Sequence, residues 1–211
     1  GDCDKTIDKY NYNGIQDCKA VTMLQGGQKG CQFGCVGLGN CERVCPFDAI
    51  HVNEKGIPEV IKDKCTACGM CVLECPKNII ELIPESSLVQ VACMSKDKGK
   101  QVKLSCQVGC IGCRICVKAC QFDAMMFENN LAKIDYEKCV NCMVCAEKCP
   151  TGAIYADFDK SRTAQIDEEL CIGCTICKRQ CKFDAIEGKI KESHKIISNK
   201  CTGCEKCVEK C

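Results

Sequence analysis

The spacing C-x2-C-x2-C-x3-C recurs five times without adjustment in this chain: Cys65, Cys68, Cys71, Cys75; Cys110, Cys113, Cys116, Cys120; Cys139, Cys142, Cys145, Cys149; Cys171, Cys174, Cys177, Cys181; and Cys201, Cys204, Cys207, Cys211. Nothing else in the sequence restricts the fold as tightly, because cysteines three positions apart converge on one centre instead of pairing off. Disulfide-rich secreted domains also carry many cysteines, but they are usually shorter than about 80 residues and space them irregularly. Here 28 of 211 residues are cysteine, tryptophan is absent and aromatic residues make up 5%. The apolar core is therefore thin, and metal ligation has to supply folding free energy. Iron–sulfur clusters are the expected occupants, ahead of zinc or disulfides. An apo-protein that is largely unfolded and a reducing, iron-supplied compartment follow from the same reasoning.

A sixth run, Cys31, Cys35, Cys41, Cys45, lies in CQFGCVGLGNCERVCPFDAI (31–50), where Leu38 stands in place of the second cysteine. Laid without a gap on CQVGCIGCRICVKACQFDAM (106–125), Cys35 falls on Cys110, Cys41 on Cys116, Cys45 on Cys120, Leu38 on Cys113 and Cys31 on Cys106. The six runs pair along the chain as 31–75, 110–149 and 171–211. The first run of each pair ends in a phenylalanine-containing turn, CPFDAI, CQFDAM or CKFDAI, and an interval of alternating apolar and charged residues reads as a short hairpin leading to the second. The fold class expected is α+β: three tandem bacterial two-[4Fe–4S] ferredoxin-like modules with an irregular N-terminal segment. The boundaries are 1–30 for that segment, 31–84 for module 1, 85–105 for a linker, 106–154 for module 2, 155–169 for a second linker and 170–211 for module 3, which ends on Cys211 where the equivalent Cys75 and Cys149 are each followed by proline. The chain also begins without methionine, so it reads as an interior piece of a longer polypeptide.

In two-cluster bacterial ferredoxins the first three cysteines of a run hold one cluster and the fourth reaches across to the other. That rule groups Cys110, Cys113, Cys116 with Cys149; Cys139, Cys142, Cys145 with Cys120; Cys171, Cys174, Cys177 with Cys211; Cys201, Cys204, Cys207 with Cys181; and Cys65, Cys68, Cys71 with Cys45. The remaining group, Cys35, Cys41 and Cys75, lacks a ligand. Cys31 is expected to fill the vacancy if Gln32-Phe33-Gly34 folds back, making six [4Fe–4S] clusters; with Cys31 a bystander, the site would hold three irons. Cys3, Cys18, Cys93 and Cys106 stay outside these sets and read as small buried apolar residues, a seventh cluster on the four being the arithmetical alternative. Cys18 and Cys93 precede Cys31 and Cys106 by the same interval, but the residues between do not align.

Gly37, Gly69, Gly112, Gly173 and Gly203 recur beside ligand positions, either to let backbone N–H groups reach cluster sulfur or to supply positive φ. Asp48, Asp123 and Asp184 in the repeated FDA read as turn residues, and His51 and His194, which do not recur, as structural or surface groups. No phosphate loop, dinucleotide fingerprint or flavin site is visible, and no radical-chemistry C-x3-C-x2-C run. Formal charge is +1 with every thiol neutral, but each cluster with its thiolates adds about −2, which for six gives roughly −11 and disfavours nucleic acid as a partner. No run of about 18 apolar residues is present.

The stretches YNYNGIQDCKAV and GGQKGCQFGCVGLGNCERVCPFDAI, with the uncommon GC-x-G-x-G-x-C variant, resemble the B-subunit family of the Rnf complex, the membrane-bound ferredoxin:NAD+ oxidoreductase coupled to sodium or proton pumping. The likeness covers nearly the whole chain; residues 110–150 share motifs common to many ferredoxins, and 171–211 resembles the extra module of longer forms. The resemblance implies an electron carrier without a substrate site of its own, which accepts electrons from soluble reduced ferredoxin and passes them to other subunits. It implies a place at the cytoplasmic face of the membrane, with anchoring through a segment upstream of the residues given. A free polyferredoxin serving a hydrogenase or dehydrogenase is the alternative, and an iron–sulfur redox sensor a third.

Overall fold

The computed structural model describes residues 5–211, so Cys3 lies outside the described residues. In chain order the strands are β1 (Ile50–Val52), β2 (Pro58–Val60), β3 (Val89–Val91), β4 (Met125–Glu128), β5 (Leu131–Ile134), β6 (Ile154–Ala156), β7 (Ile186–Glu187) and β8 (Lys195–Ile196). The helices are equally short: α1 (Cys18–Met23), α2 (Asn40–Arg43), α3 (Met70–Glu74), α4 (Gly99–Ser105), α5 (Ile115–Ala119), α6 (Val144–Glu147) and α7 (Ile176–Gln180). Small helices and antiparallel hairpins around cysteine loops make an α+β, ferredoxin-like fold.

The cysteine runs dictate a common backbone. In all six, the second and fourth residues after the first cysteine of the loop are left-handed: Gly37 and Gly39, Ala67 and Gly69, Gly112 and Arg114, Asn141 and Met143, Gly173 and Thr175, Gly203 and Glu205. Two such reversals wrap the chain around the space into which the sulfurs point, and α2, α3, α5, α6 and α7 start directly after the second one. The loop with Leu38 keeps this signature, so its ungapped alignment with the others holds in three dimensions. Leu38 has become a packing residue beside the small cluster of Cys18, Val21 and Val36.

Each pair of runs encloses one hairpin: β1 with β2, β4 with β5, and β7 with β8. The β4–β5 turn is Asn129-Asn130, both at positive φ, the arrangement whose twist matches that of the strands it joins. β3 departs from the sequence expectation, since residues 85–105 read as a linker but contain a strand and a helix. Apolar alternation in Val89-Gln90-Val91 finds an antiparallel partner in β6, with Val89 opposite Ala156 and Val91 opposite Ile154. Val89, Met125, Ala132, Met143, Ile154 and Ala156 then form the largest buried cluster together with Cys116 and Cys145.

The N-terminal residues are likewise more ordered than expected. Residues 5–9 run as a ribbon between two later segments, with isolated bridges at Thr6 and Asp8. Ile7 N–H donates to the Ser105 carbonyl at 3.1 Å, Gln107 N–H to Lys5 at 2.9 Å, Gly30 N–H to Ile7 at 2.6 Å, and Lys9 N–H to Gln28 at 2.7 Å. Thr6 pairs with Cys106 and Asp8 with Lys29, the latter also through a 2.9 Å ion pair.

Candidate functional site

Every cysteine among the described residues is a free thiol, and backbone N–H groups are aimed at many of the sulfurs. The FDA turn shows how. Asp48, Asp123 and Asp184 all sit at φ near +50°, a conformation that aspartate tolerates better than most residues. Reversing the chain there turns the next N–H back: Ala49 donates to Cys45 Sγ at 3.4 Å, Ala124 to Cys120 at 3.3 Å and Ala185 to Cys181 at 3.3 Å. The three alanines are buried, where a larger side chain would collide. A second device recurs inside the loops, where the N–H two residues after a cysteine donates to its sulfur: Gly37 to Cys35, at 3.4 Å, Asn141 to Cys139, Val144 to Cys142 and Gly173 to Cys171. Such donors stabilise thiolate and are the groups that tune iron–sulfur centres.

Cys181, Cys201, Cys204 and Cys207 line one open cavity of about 340 Å3, with Phe183, Ala185, Ile186 and Ile196 completing its apolar wall. A second, of about 400 Å3, is lined by Cys18, Cys35, Cys41 and Cys75, with Val36, Val52, Ile79 and Ile80 among its apolar residues. Both have the donor chemistry an iron–sulfur cluster requires: four sulfurs facing a common space with apolar walls. Around the others, burial pushes Cys116 up to about 11, reinforced by Cys110, Cys113 and Cys149 nearby. Burial likewise takes Cys145 to about 12, with Cys142, Cys139 and Cys116 adding to it. Cys142 has Cys120, Cys139 and Cys204 as neighbours, Cys177 has Cys211, Cys174 and Cys171, and Cys71 has Cys65 and Cys68. In the second and third pairs, the fourth cysteine of each run thus lies with the first three of the other. Thiols held neutral in this way must lose protons when metal binds.

Cys31 is the exception. The cavity of the first pair holds Cys18 at the place expected for Cys31. Asp17 caps α1 by accepting from Lys19 and Ala20 N–H, at 2.8 and 2.9 Å, and Asn40 at the head of α2 accepts from Cys18 N–H at 2.8 Å while donating to Asp17 and Glu74. This buried network docks Cys18 against α2. The Gln32-Phe33-Gly34 turn, closed by Gly34 N–H on the Cys31 carbonyl at 3.1 Å, turns Cys31 the other way, toward Cys93 and Cys106. Burial raises the Cys31 thiol, and Cys93, Cys106 and Asp97 raise it further.

Two further side chains carry no signal in the sequence. Lys77 donates to the Gly26 carbonyl at 2.6 Å and is held below the usual lysine range by burial, against the pull of Cys31, Cys75 and Cys35 around it. His194 is 1% exposed; its N–H donates to Cys171 Sγ at 3.4 Å, and its Nδ1 lies 3.9 Å from the same sulfur. Neither recurs between repeats, so periodicity does not point to them.

A family described as the 4Fe-4S dicluster domain matches residues 30–79, 109–153 and 138–185, and a second of the same description matches 164–211. Among curated proteins, the chain is 47% identical over 163 residues to the B-subunit of the Na(+)-translocating ferredoxin:NAD(+) oxidoreductase complex of Acetobacterium woodii, covering 77% of this chain and 49% of that one. It is 46% identical over 145 residues to the B-subunit of the ion-translocating oxidoreductase complex of Methanosarcina acetivorans, covering 69% and 55%. The proton-translocating counterpart of Clostridium ljungdahlii is 47% identical over 158 residues, covering 74% and 56%. The chain spans about half the length of these relatives. It belongs to the 4Fe-4S dicluster domain family, and the resemblance to the B-subunits of the ion-translocating ferredoxin:NAD(+) oxidoreductases carried by its motifs holds over most of its length.

Proposed function

We propose that this chain is the electron-carrying part of the B-subunit of an ion-translocating ferredoxin:NAD+ oxidoreductase, built as three two-cluster ferredoxin modules. The observation that carries the reading is the 46–47% identity to three such proteins, since cysteine loops alone fit many electron carriers. Five cluster sites follow the exchanged pattern: Cys65, Cys68, Cys71 with Cys45; Cys110, Cys113, Cys116 with Cys149; Cys139, Cys142, Cys145 with Cys120; Cys171, Cys174, Cys177 with Cys211; and Cys201, Cys204, Cys207 with Cys181. For the sixth, the shared cavity supports Cys18, Cys35, Cys41 and Cys75. A [4Fe–4S] cluster supplies reversible one-electron uptake and release with no covalent bond made or broken. The protein's part is to hold it dry, to lend N–H dipoles that favour the added negative charge, and to set neighbouring sites close together. Soluble reduced ferredoxin is the donor, other subunits are the acceptors, and these hold the chain at the cytoplasmic face of the membrane.

The test is anaerobic mixing with reduced ferredoxin. Bleaching of the visible charge-transfer band, with fast-relaxing EPR signals from coupled clusters, is expected, as is co-purification with membrane subunits. A chain that binds iron and is reduced by dithionite but never by ferredoxin would remove the donor from this reading. Zinc in place of iron would remove electron transfer itself.

A further inference from the structure

Cys31, Cys93 and Cys106 remain once the six sites are filled, and they are not scattered. The ribbon of residues 5–9 joins the segment that ends at Gly30 to the one that runs through Ser105 and Cys106. This clamp sets Cys31 beside Cys106. A Cβ on Gly30 would stand 3.0 Å from the Ile7 carbonyl oxygen and 3.5 Å from the Ser105 side chain, so the Gly30 and Ser105 segments lie within van der Waals reach of each other. Cys93 enters from the chain following β3, its sulfur accepting the Cys110 N–H at 3.3 Å.

The three sulfurs are also dressed like those of the regular loops. Cys31 accepts from the N–H of Phe33 and Cys93 from that of Ser95, two residues on in both cases, and the Thr6 hydroxyl donates to Cys106 Sγ at 3.7 Å. Ordinary core cysteines need no such donors, whereas metal-bound thiolates do. Among the described residues no three donors meet tightly enough to hold a single metal ion, while sulfurs around a four-iron core stand farther apart than those around one ion.

We infer that Cys31, Cys93 and Cys106 are three ligands of a seventh iron–sulfur cluster, seated between the first and second pairs of runs. This rests on the cluster-binding reading above and extends it. Asp97, beside Cys31, is the candidate for the fourth ligand. The location gives the site its use. On one side Lys77 has Cys31 and the Cys35 and Cys75 of the first cavity around it; on the other Cys93 touches Cys110 of the next set. The site thus stands between the first cavity and the Cys110 set.

The test is iron and sulfide determination on the anaerobically purified full chain, with EPR on the reduced protein. Seven four-iron clusters bring iron to about 28 atoms per chain, against about 24 for six. The triple variant Cys31→Ser/Cys93→Ser/Cys106→Ser should lose about four of these and keep the remaining signals, and Asp97→Asn should convert one four-iron signal to a three-iron one. Wild-type iron at the six-cluster level, unaltered in the triple variant, would overturn the proposal while leaving the other sites standing; absence of iron altogether would instead sink the reading on which it rests. The wild-type count decides the matter even if the triple variant does not fold.

Discussion

A single residue's backbone sets the electrostatics of a sulfur here. Asp123 at φ +53° aims the Ala124 N–H at Cys120. Asp123→Val should cost about 1 to 2 kcal/mol, because a β-branched residue resists the left-handed region, whereas Asp123→Gly should be nearly neutral; thermal loss of the visible band measures both. Lys77 works through charge. Lys77→Met removes a cation from among Cys31, Cys35 and Cys75, so adding an electron nearby becomes harder and the neighbouring cluster potentials should fall, as read by EPR-monitored redox titration; an unchanged titration would show that solvent already screens the charge. The left-handed turns of the cysteine loops and the FDA turns were legible in the sequence because they are local, set by residues within a few positions of one another. The placement of Cys18 was not. Its position depends on Asn40 tying α1 to α2, a contact across 22 positions that no spacing rule contains, and the equal intervals from Cys18 to Cys31 and from Cys93 to Cys106 led nowhere because Cys18 joins the first pair's cavity while the other three lie together elsewhere.

At the level of elements, the hairpins were legible and the role of 85–105 was not. Alternation in β1, β4 and β7 is visible because each strand finds its partner next in sequence. Three residues such as Val89-Gln90-Val91 carry too weak a pattern to name a strand, and this one is fixed by β6, far along the chain. The pairing matters to stability because it closes the largest core. Ile154 is 5% exposed and opposite Val91, so Ile154→Ala should cost about 2 to 5 kcal/mol. Proteolysis should then begin in residues 85–105 rather than in the cysteine loops; cleavage starting in the loops would show that β3 does not depend on this contact.

For the whole molecule, the strands are two to four residues long and the helices four to seven, too little regular structure to stand without metal. Chelation of iron under anaerobic conditions should therefore collapse secondary structure and visible absorbance in one transition. Retention of most far-UV dichroism after iron is gone would show that β3, β6 and the hairpins form a scaffold of their own. Contacts between sites give an order as well as a fold. Cys116 lies beside Cys145, and Cys142 beside Cys204, so the second pair's two sites adjoin each other and one of them adjoins the third pair.

The ribbon of residues 5–9 has a bearing on how the protein is made. A nascent chain exposes Thr6 and Ile7 long before Ser105 and Cys106 have left the ribosome. Until then Cys31 has neither of its later sulfur neighbours. This earlier segment is thus kept waiting for the one around Ser105 and Cys106, and its docking marks the moment at which the earlier and later loops have both been synthesised and can be joined.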